Sequence, residues 1–248
     1  MIRTSEFRCG AWQFSFRPGL ALCALAAMAA AILLGNWQTR RAEQKLALQQ
    51  RTDSLAQGPV LSLPSTRVAA SDYAYSRVAV HGAFAPQYTV FVDNRVLGGT
   101  AGYHVVTPFR IRGGDTYVLV NRGWIGVGQT RARLPPIRTP AGDLVLEGLA
   151  VVPPKRVYEL ETDPGGGPLV QNLVLARIEE NSGLALQPIV IQQTSDTRDG
   201  LVRQWQRPDQ GVDVHRAYAL QWYAMGVLIV ILYFVLNLRR CRVGDGAG

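Results

Sequence analysis

Two long apolar runs bracket this chain, and a mostly alternating pattern fills the stretch between them. From Pro18 to Thr39, and again from Ala217 to Leu238, no residue carries a charge. Each run is long enough to cross a hydrocarbon core of roughly 30 Å as a helix. Arg17 and Arg40 bound the first run, and Arg216 and Arg239 the second, so charged residues stand at each predicted membrane surface. A signal peptide is the alternative reading of the first run, because Ala29, Ala30 and Ala31 offer small residues near a cleavage window. Its apolar stretch exceeds the roughly 7–15 residues of an ordinary h-region, which favours a retained anchor.

Between the runs the period is that of strands. Arg77–Phe84 alternates, with Val78, Val80, Gly82 and Phe84 on one face, and Tyr88–Arg95 continues as a neighbouring strand. Gly102–Ile111 and Thr116–Ile125 flank Arg112-Gly113-Gly114-Asp115, the signature of a hairpin. Asp143–Val152 and Ile189–Gln193 read as further strands, and Pro153–Pro168 as a loop. Gln171–Asn181 spaces Leu173, Ala176 and Ile178 as a short amphipathic helix stopped by Ser182 and Gly183. Gln44–Gln57 reads as a helical stalk.

The expected class is therefore α+β: two transmembrane helices bracketing an antiparallel, β-rich external domain with one short helix. The segments are a tail over 1–17, a span over 18–39, the external domain with its stalk over 40–216, a second span over 217–238 and a tail over 239–248. Both tails must share one side of the membrane. They carry Arg3, Arg8, Arg17, Arg239, Arg240 and Arg242 against only Glu6 and Asp245, which favours the cytoplasm for the tails and the periplasm for the domain. Ala26 with Ala30, or Ala27 with Ala31, at small-x-x-x-small spacing would let the first helix meet the second, or a partner subunit, at close range.

The formal net charge of +8 is shared between tails and loop with no dense basic block, so headgroup contact accounts for it better than nucleic-acid binding does. Of the three cysteines, Cys9 and Cys241 lie in the tails and Cys23 in the first span. The external domain can hold no disulfide, and a Cys-x-x-Cys redox or c-type haem site is excluded. Nucleophile elbows, phosphate loops and zinc-protease motifs are missing too. His81 and His104 read as ordinary surface or hydrogen-bonded residues. His215 differs, because ionisable groups at membrane depth are functional candidates by default.

Four segments in order resemble the Surfeit-locus protein one family of cytochrome c oxidase assembly factors, in its bacterial form. Gly35-Asn36-Trp37-Gln38 with Arg41 and Lys45 is similar to a Gly-x-Trp-Gln-x-x-Arg-x-x-x-Lys signature. Tyr103-His104-Val105-Val106-Thr107-Pro108-Phe109, Val120-Asn121-Arg122-Gly123-Trp124 and His215-Arg216-Ala217-Tyr218 with Trp222-Tyr223 follow. The likeness runs from about Leu34 to Arg240. Two positions depart from the family pattern: Gln44 where members often have Trp, and Asp213 where they often have Asn.

The resemblance implies a non-enzymatic role in maturing the catalytic subunit of haem-copper oxidase in the bacterial inner membrane. It also implies contact with haem a, and a haem a synthase as a further partner beside membrane lipid. His215, Tyr218 and Trp222 are spaced three and four apart, so one helix face would carry them. His215 is then the expected axial ligand of haem iron, with Asp213 capping the helix. Arg216, Arg207 and Arg203 on one side, and Arg40 and Arg41 on the other, would pair with propionates. Two readings stay open beside this one. A protein-only scaffold would stabilise the catalytic subunit without touching haem, leaving His215 and its aromatics as interfacial anchors, and a membrane-tethered hydrolase is the third.

Overall fold

The computed structural model describes residues 6–9, 12–128, 133–153, 167–205 and 211–240. In chain order the elements are β1 (Glu6–Cys9), β2 (Trp12–Ser15), α1 (Pro18–Ala56), β3 (Leu61–Ser62), α2 (Ala70–Tyr73), β4 (Arg77–Phe84) and β5 (Val90–Leu97). There follow β6 (Thr100–Ile111), β7 (Thr116–Gly126), β8 (Leu144–Val151), β9 (Leu169–Val170), α3 (Leu175–Ser182), β10 (Ala185–Gln193), α4 (Val212–Asn237) and β11 (Leu238–Arg240). They form two compact units, one of residues 1–50 and 208–248 and one of residues 51–207.

In the first unit α1 and α4 are each long and apolar enough to cross a membrane. Proline suits the first turn of α1, where its missing N–H leaves no bond unmade. The helix continues past Thr39 because no glycine or proline interrupts Arg40–Gln57, so the first span and the predicted stalk are one helix. The less exposed positions of α1 recur at alternating steps of three and four: Ala24, Met28, Ala31, Gly35, Gln38, Ala42 and Lys45. Those of α4 do the same through Val212, His215, Ala219, Trp222 and Gly226. This is the seam of a paired-helix packing.

Small residues set how closely the helices approach. A Cβ on Gly226 would lie 3.7 Å from the Ala31 Cβ, and one on Gly35 would fall 2.5 Å from Cε1 of Tyr223. Of the predicted small pairs only Ala31 is buried, while Ala26, Ala27 and Ala30 are exposed; the closing pair is Ala31 with Gly35, because the seam runs along that side of the helix. The two helices meet each other. Apolar side chains such as Leu22, Leu25, Leu220 and Val227 stay exposed, as expected of residues solvated by lipid. The tails add a feature the sequence did not suggest: β2 pairs antiparallel with both β1 and β11, with Phe14 opposite Leu238 and Trp12 opposite Arg240.

The second unit is built on one eight-stranded sheet in the order β3-β4-β8-β10-β7-β6-β5-β9, with β4 also pairing β6. That extra pairing closes β4, β8, β10, β7 and β6 into a ring, which removes their free edges. Inside it lie Val78, Val80, Phe84, Phe109, Val118, Val120, Leu146, Ile189 and Ile191. Gly82 makes the closure, since a Cβ there would stand 1.8 Å from the Arg110 carbonyl oxygen; glycine is the residue that lets one backbone pass so near another. On the outer side of β6 and β7, Val106 and Leu119 pack with Ile178 of α3.

The hairpin is the one predicted: β6 and β7 pair antiparallel up to Arg110 opposite Tyr117, and Gly113 takes φ +90° in the turn. Gly183 ends α3 in the left-handed conformation, its N–H donating to the Glu179 carbonyl at 2.8 Å. Two expectations are corrected. The strand at Arg77–Phe84 does not neighbour the one that follows it. β4 and β5 instead take successive stretches of β6, around Phe109 and around Val105, because the single turn at Pro86–Tyr88 carries the chain onward along that strand. The sheet is also mixed rather than antiparallel, since β10–β7, β3–β4 and β5–β9 are parallel. Parallel neighbours need a long crossover, and the chain between β7 and β10 supplies one. Most of the predicted Pro153–Pro168 loop, residues 154–166, lies outside the described residues.

Candidate functional site

α4 starts at Val212, which is buried, and its N-cap is Gly211 at φ +65° with no side-chain cap bond. Asp213 is therefore not the cap, because the helix begins one residue before it. It sits in the first turn, where the helix dipole favours an acid, and lies 3.6 Å from Arg216 in an exposed pair. Exposed pairs of this kind hold little energy. His215 follows in the seam, part-buried, with Nδ1 2.7 Å from Oε1 of Gln38 on α1.

Two turns along α4, the Tyr223 ring covers Gly35. Its hydroxyl donates to Asn36 Oδ1 at 2.8 Å and lies 3.3 Å from Thr39 Oγ1, which donates to the Gly35 carbonyl at 3.0 Å. The signature at the end of the first apolar run and the one at the start of the second are thus two sides of one contact. Gln38 is the residue the sequence did not single out as functional, because its partner stands 177 positions away. The predicted aromatic row is only partly gathered. Trp222 shares the seam with His215, whereas Tyr218 is 49% exposed beside it.

The predicted arginines fare differently. Arg216, Arg40 and Arg41 are exposed, and Arg207 lies outside the described residues. Arg203 is committed elsewhere. Its guanidinium holds Asp199 Oδ1 at 2.6 Å and Thr197 Oγ1 at 2.9 Å, and its side chain is largely buried, so it is not free to meet a propionate. A groove of about 350 Å³ on the helix pair is lined by Thr39, Glu43, Arg216, Ala219 and Tyr223 among others, but not by His215.

The donor set decides what His215 could hold. Among the described residues no three histidines, cysteines or acids gather as a metal-binding group, whereas a bare ion such as zinc needs about four ligands. A haem brings four nitrogens of its own and asks the protein for one or two axial groups. With Nδ1 taken by Gln38, Nε2 of His215 has no hydrogen-bond partner among the described residues, so one axial position is what it can offer.

The two middle motifs build the fold. Arg122 is fully buried and donates to Thr139 Oγ1 at 2.8 Å, the Arg138 carbonyl at 2.6 Å and Asp199 Oδ2 at 3.0 Å, with Phe84 4.8 Å beneath its guanidinium. Trp124 Nε1 donates to the Arg95 carbonyl at 2.7 Å. Gly123 admits the backbone at Val202, which bridges Trp124, since a Cβ would fall 2.9 Å from the Val202 carbonyl oxygen.

His81 is exposed, with Arg112 at 3.4 Å. His104 is half-buried, accepts from Asn121 Nδ2 at 3.3 Å and meets the Trp205 ring edge-on. Burial, with the Arg95 charge adding to it, pushes the His104 imidazole down from 6.5 to about 4. A ring kept neutral in the fold but free to protonate when unfolded weakens the fold as pH falls. Stability is therefore expected to be complete above about pH 6.5, to decline as pH falls toward 4, and to lose nothing more from this group below that. His104→Gln should flatten that limb of a denaturation-against-pH curve. An unchanged slope would contradict the assignment.

A family model described as the SURF1 family matches residues 25–227 of this chain. An uncharacterized SURF1-like protein of Mycobacterium bovis is 29% identical over 255 aligned positions, covering 95% of this chain and 90% of its own length. The cytochrome oxidase assembly protein SHY1 of Saccharomyces cerevisiae is 33% identical over 94 positions, covering 37% of this chain and 24% of its own. Surfeit locus protein 1 of Mus musculus is 28% identical over 111 positions, covering 39% and 36%.

Proposed function

Because the chain belongs to the SURF1 family, we propose that it assists assembly of cytochrome c oxidase by holding haem a transiently at His215 and passing it to the oxidase catalytic subunit. The contact between His215 and Gln38 carries this reading, since it leaves one ring nitrogen of a membrane-surface histidine available to iron. When bound, the haem brings an iron that accepts an axial nitrogen. The chain's own residues do the rest. His215 offers that nitrogen, the half-exposed Tyr218 offers an aromatic flank, and Arg216 offers a guanidinium whose only described ion pair is with the exposed Asp213.

The proposed setting is a bacterial inner membrane crossed twice, with both termini cytoplasmic and the β unit periplasmic. Arginines stand at both ends of each span, so the orientation rests on the basic tails together with a long loop that crosses largely regardless of its charge, and the pairing of β2 with β11 supports termini on one side. A haem a synthase is the natural upstream supplier. In a scaffold that never touches haem, the Gln38–His215 bond would serve only to pair the two helices.

In a strain lacking this chain, the haem a content per catalytic subunit is expected to fall several-fold and to recover on re-expression. A deficit in subunit amount with normal haem per subunit would favour the scaffold instead, and an oxidase normal in both would overturn the proposal.

A further inference from the structure

Building on the haem reading above, we propose that Gln38 is a positioning residue: it holds His215 in the tautomer with hydrogen on Nδ1, so that Nε2 is the iron-binding nitrogen. The amide oxygen turned toward the ring supports this. An amide oxygen can only accept, so with Oε1 2.7 Å from His215 Nδ1 that nitrogen is the donor. A neutral imidazole carries one ring hydrogen, which leaves the lone pair on Nε2. Free histidine samples both tautomers and turns about its side-chain bonds. A fixed acceptor on Nδ1 removes both freedoms and strengthens the donation of the other nitrogen to a metal.

The seam holds Gln38 at that distance. Gly35, one turn before it, takes the Tyr223 ring against its backbone, and any side chain there would meet the ring at 2.5 Å. Asn36 and Thr39 fix the hydroxyl of the same tyrosine. These contacts set the helix separation on which the Gln38–His215 bond depends. The choice of an amide also matters. An uncharged acceptor strengthens the iron bond less than a carboxylate would, which suits a cargo that has to be released.

The test is ¹⁵N NMR of the haem-free full-length protein in lipid nanodiscs, labelled at histidine. With three histidines in the chain, His215 is assigned by difference from His215→Ala. The wild type is expected to show hydrogen on Nδ1. Gln38→Leu should shift the ring to a tautomer mixture, and Gln38→Glu, which keeps an acceptor, should restore the wild-type signal. Hydrogen on Nε2 in the wild type, or an unchanged tautomer in Gln38→Leu, would overturn the proposal.

A haem a titration then separates the two layers. Gln38→Leu is expected to bind about 10–100-fold more weakly, and Gln38→Glu at least as tightly as the wild type. If Gln38→Leu binds as the wild type does while His215→Ala does not, the positioning role falls and the haem reading stands. If His215→Ala also binds normally, the haem reading falls, and Gln38 is left with a purely structural bond.

Discussion

In Asp199→Asn the free energy of unfolding is expected to drop by about 3–5 kcal/mol, the cost of leaving a buried charge without its partner. Asp199 sits between two guanidiniums, with Arg122 on one oxygen and Arg203 on the other, and the Arg122 and Asp199 side chains are both fully buried. Thr197 and the Leu201 amide complete its hydrogen bonds. Burial pulls the Asp199 carboxyl up, but the Arg203 contacts outweigh it and hold the group below its ordinary value. Its contribution is therefore present above the unfolded carboxylate range and lost as pH falls through the depressed folded value. Burial also lowers Arg122, with Asp199 working against that shift.

Asparagine keeps the shape and removes the charge that both arginines need. Because the pair is buried, Arg122→Leu combined with Asp199→Asn should cost less than the sum of the single changes. Denaturant unfolding of the detergent-solubilised chain, followed through Trp124 and Trp205, gives both numbers. A single-site loss under about 1 kcal/mol, within the range of an exposed pair, would show that the network does not hold the β unit together.

The second large effect belongs to His215. Its replacement by alanine is expected to weaken haem a binding by more than about 100-fold, because losing a metal's second-shell partner already costs about 10–100-fold. Arg216→Ala should cost only severalfold, since exposed ion pairs are worth about 0.2–1 kcal/mol. Tyr218→Ala should lie between the two, because half of that ring is already exposed. Titrating haem a into the three variants gives the ranking. If Arg216→Ala lost as much as His215→Ala, the binding would be mainly a matter of charge rather than ligation.

The sequence made the spans legible because an uncharged apolar run of that length has few other uses. The first run and the stalk predicted after it form one helix, because helices end at breakers rather than at charges, and α1 runs on to Ala56, just before Gly58 and Pro59. The β6–β7 hairpin was legible from paired glycines between two strand-like runs. Ring closure was not, since alternation assigns Gly82 a face without showing that the Arg110 backbone crosses there. The parallel pairing of β10 with β7 was likewise invisible, because period alone says nothing of direction. At the site, His215 announced itself by its depth, while Gln38 became meaningful only once two helices distant in sequence were laid side by side. Arg203 was misassigned for the converse reason. Nothing in the sequence marks it as the partner of a buried aspartate.

The most direct test is the optical spectrum of the protein purified from cells that make haem a, taken for the wild type and for His215→Ala. Wild type is expected to carry the absorption bands of an axially ligated haem a, and the variant, equally well folded, to carry none. Equal haem in both, with the same ligand-field bands, or a wild type purified without haem from such cells, would contradict the assignment of His215 as the ligand.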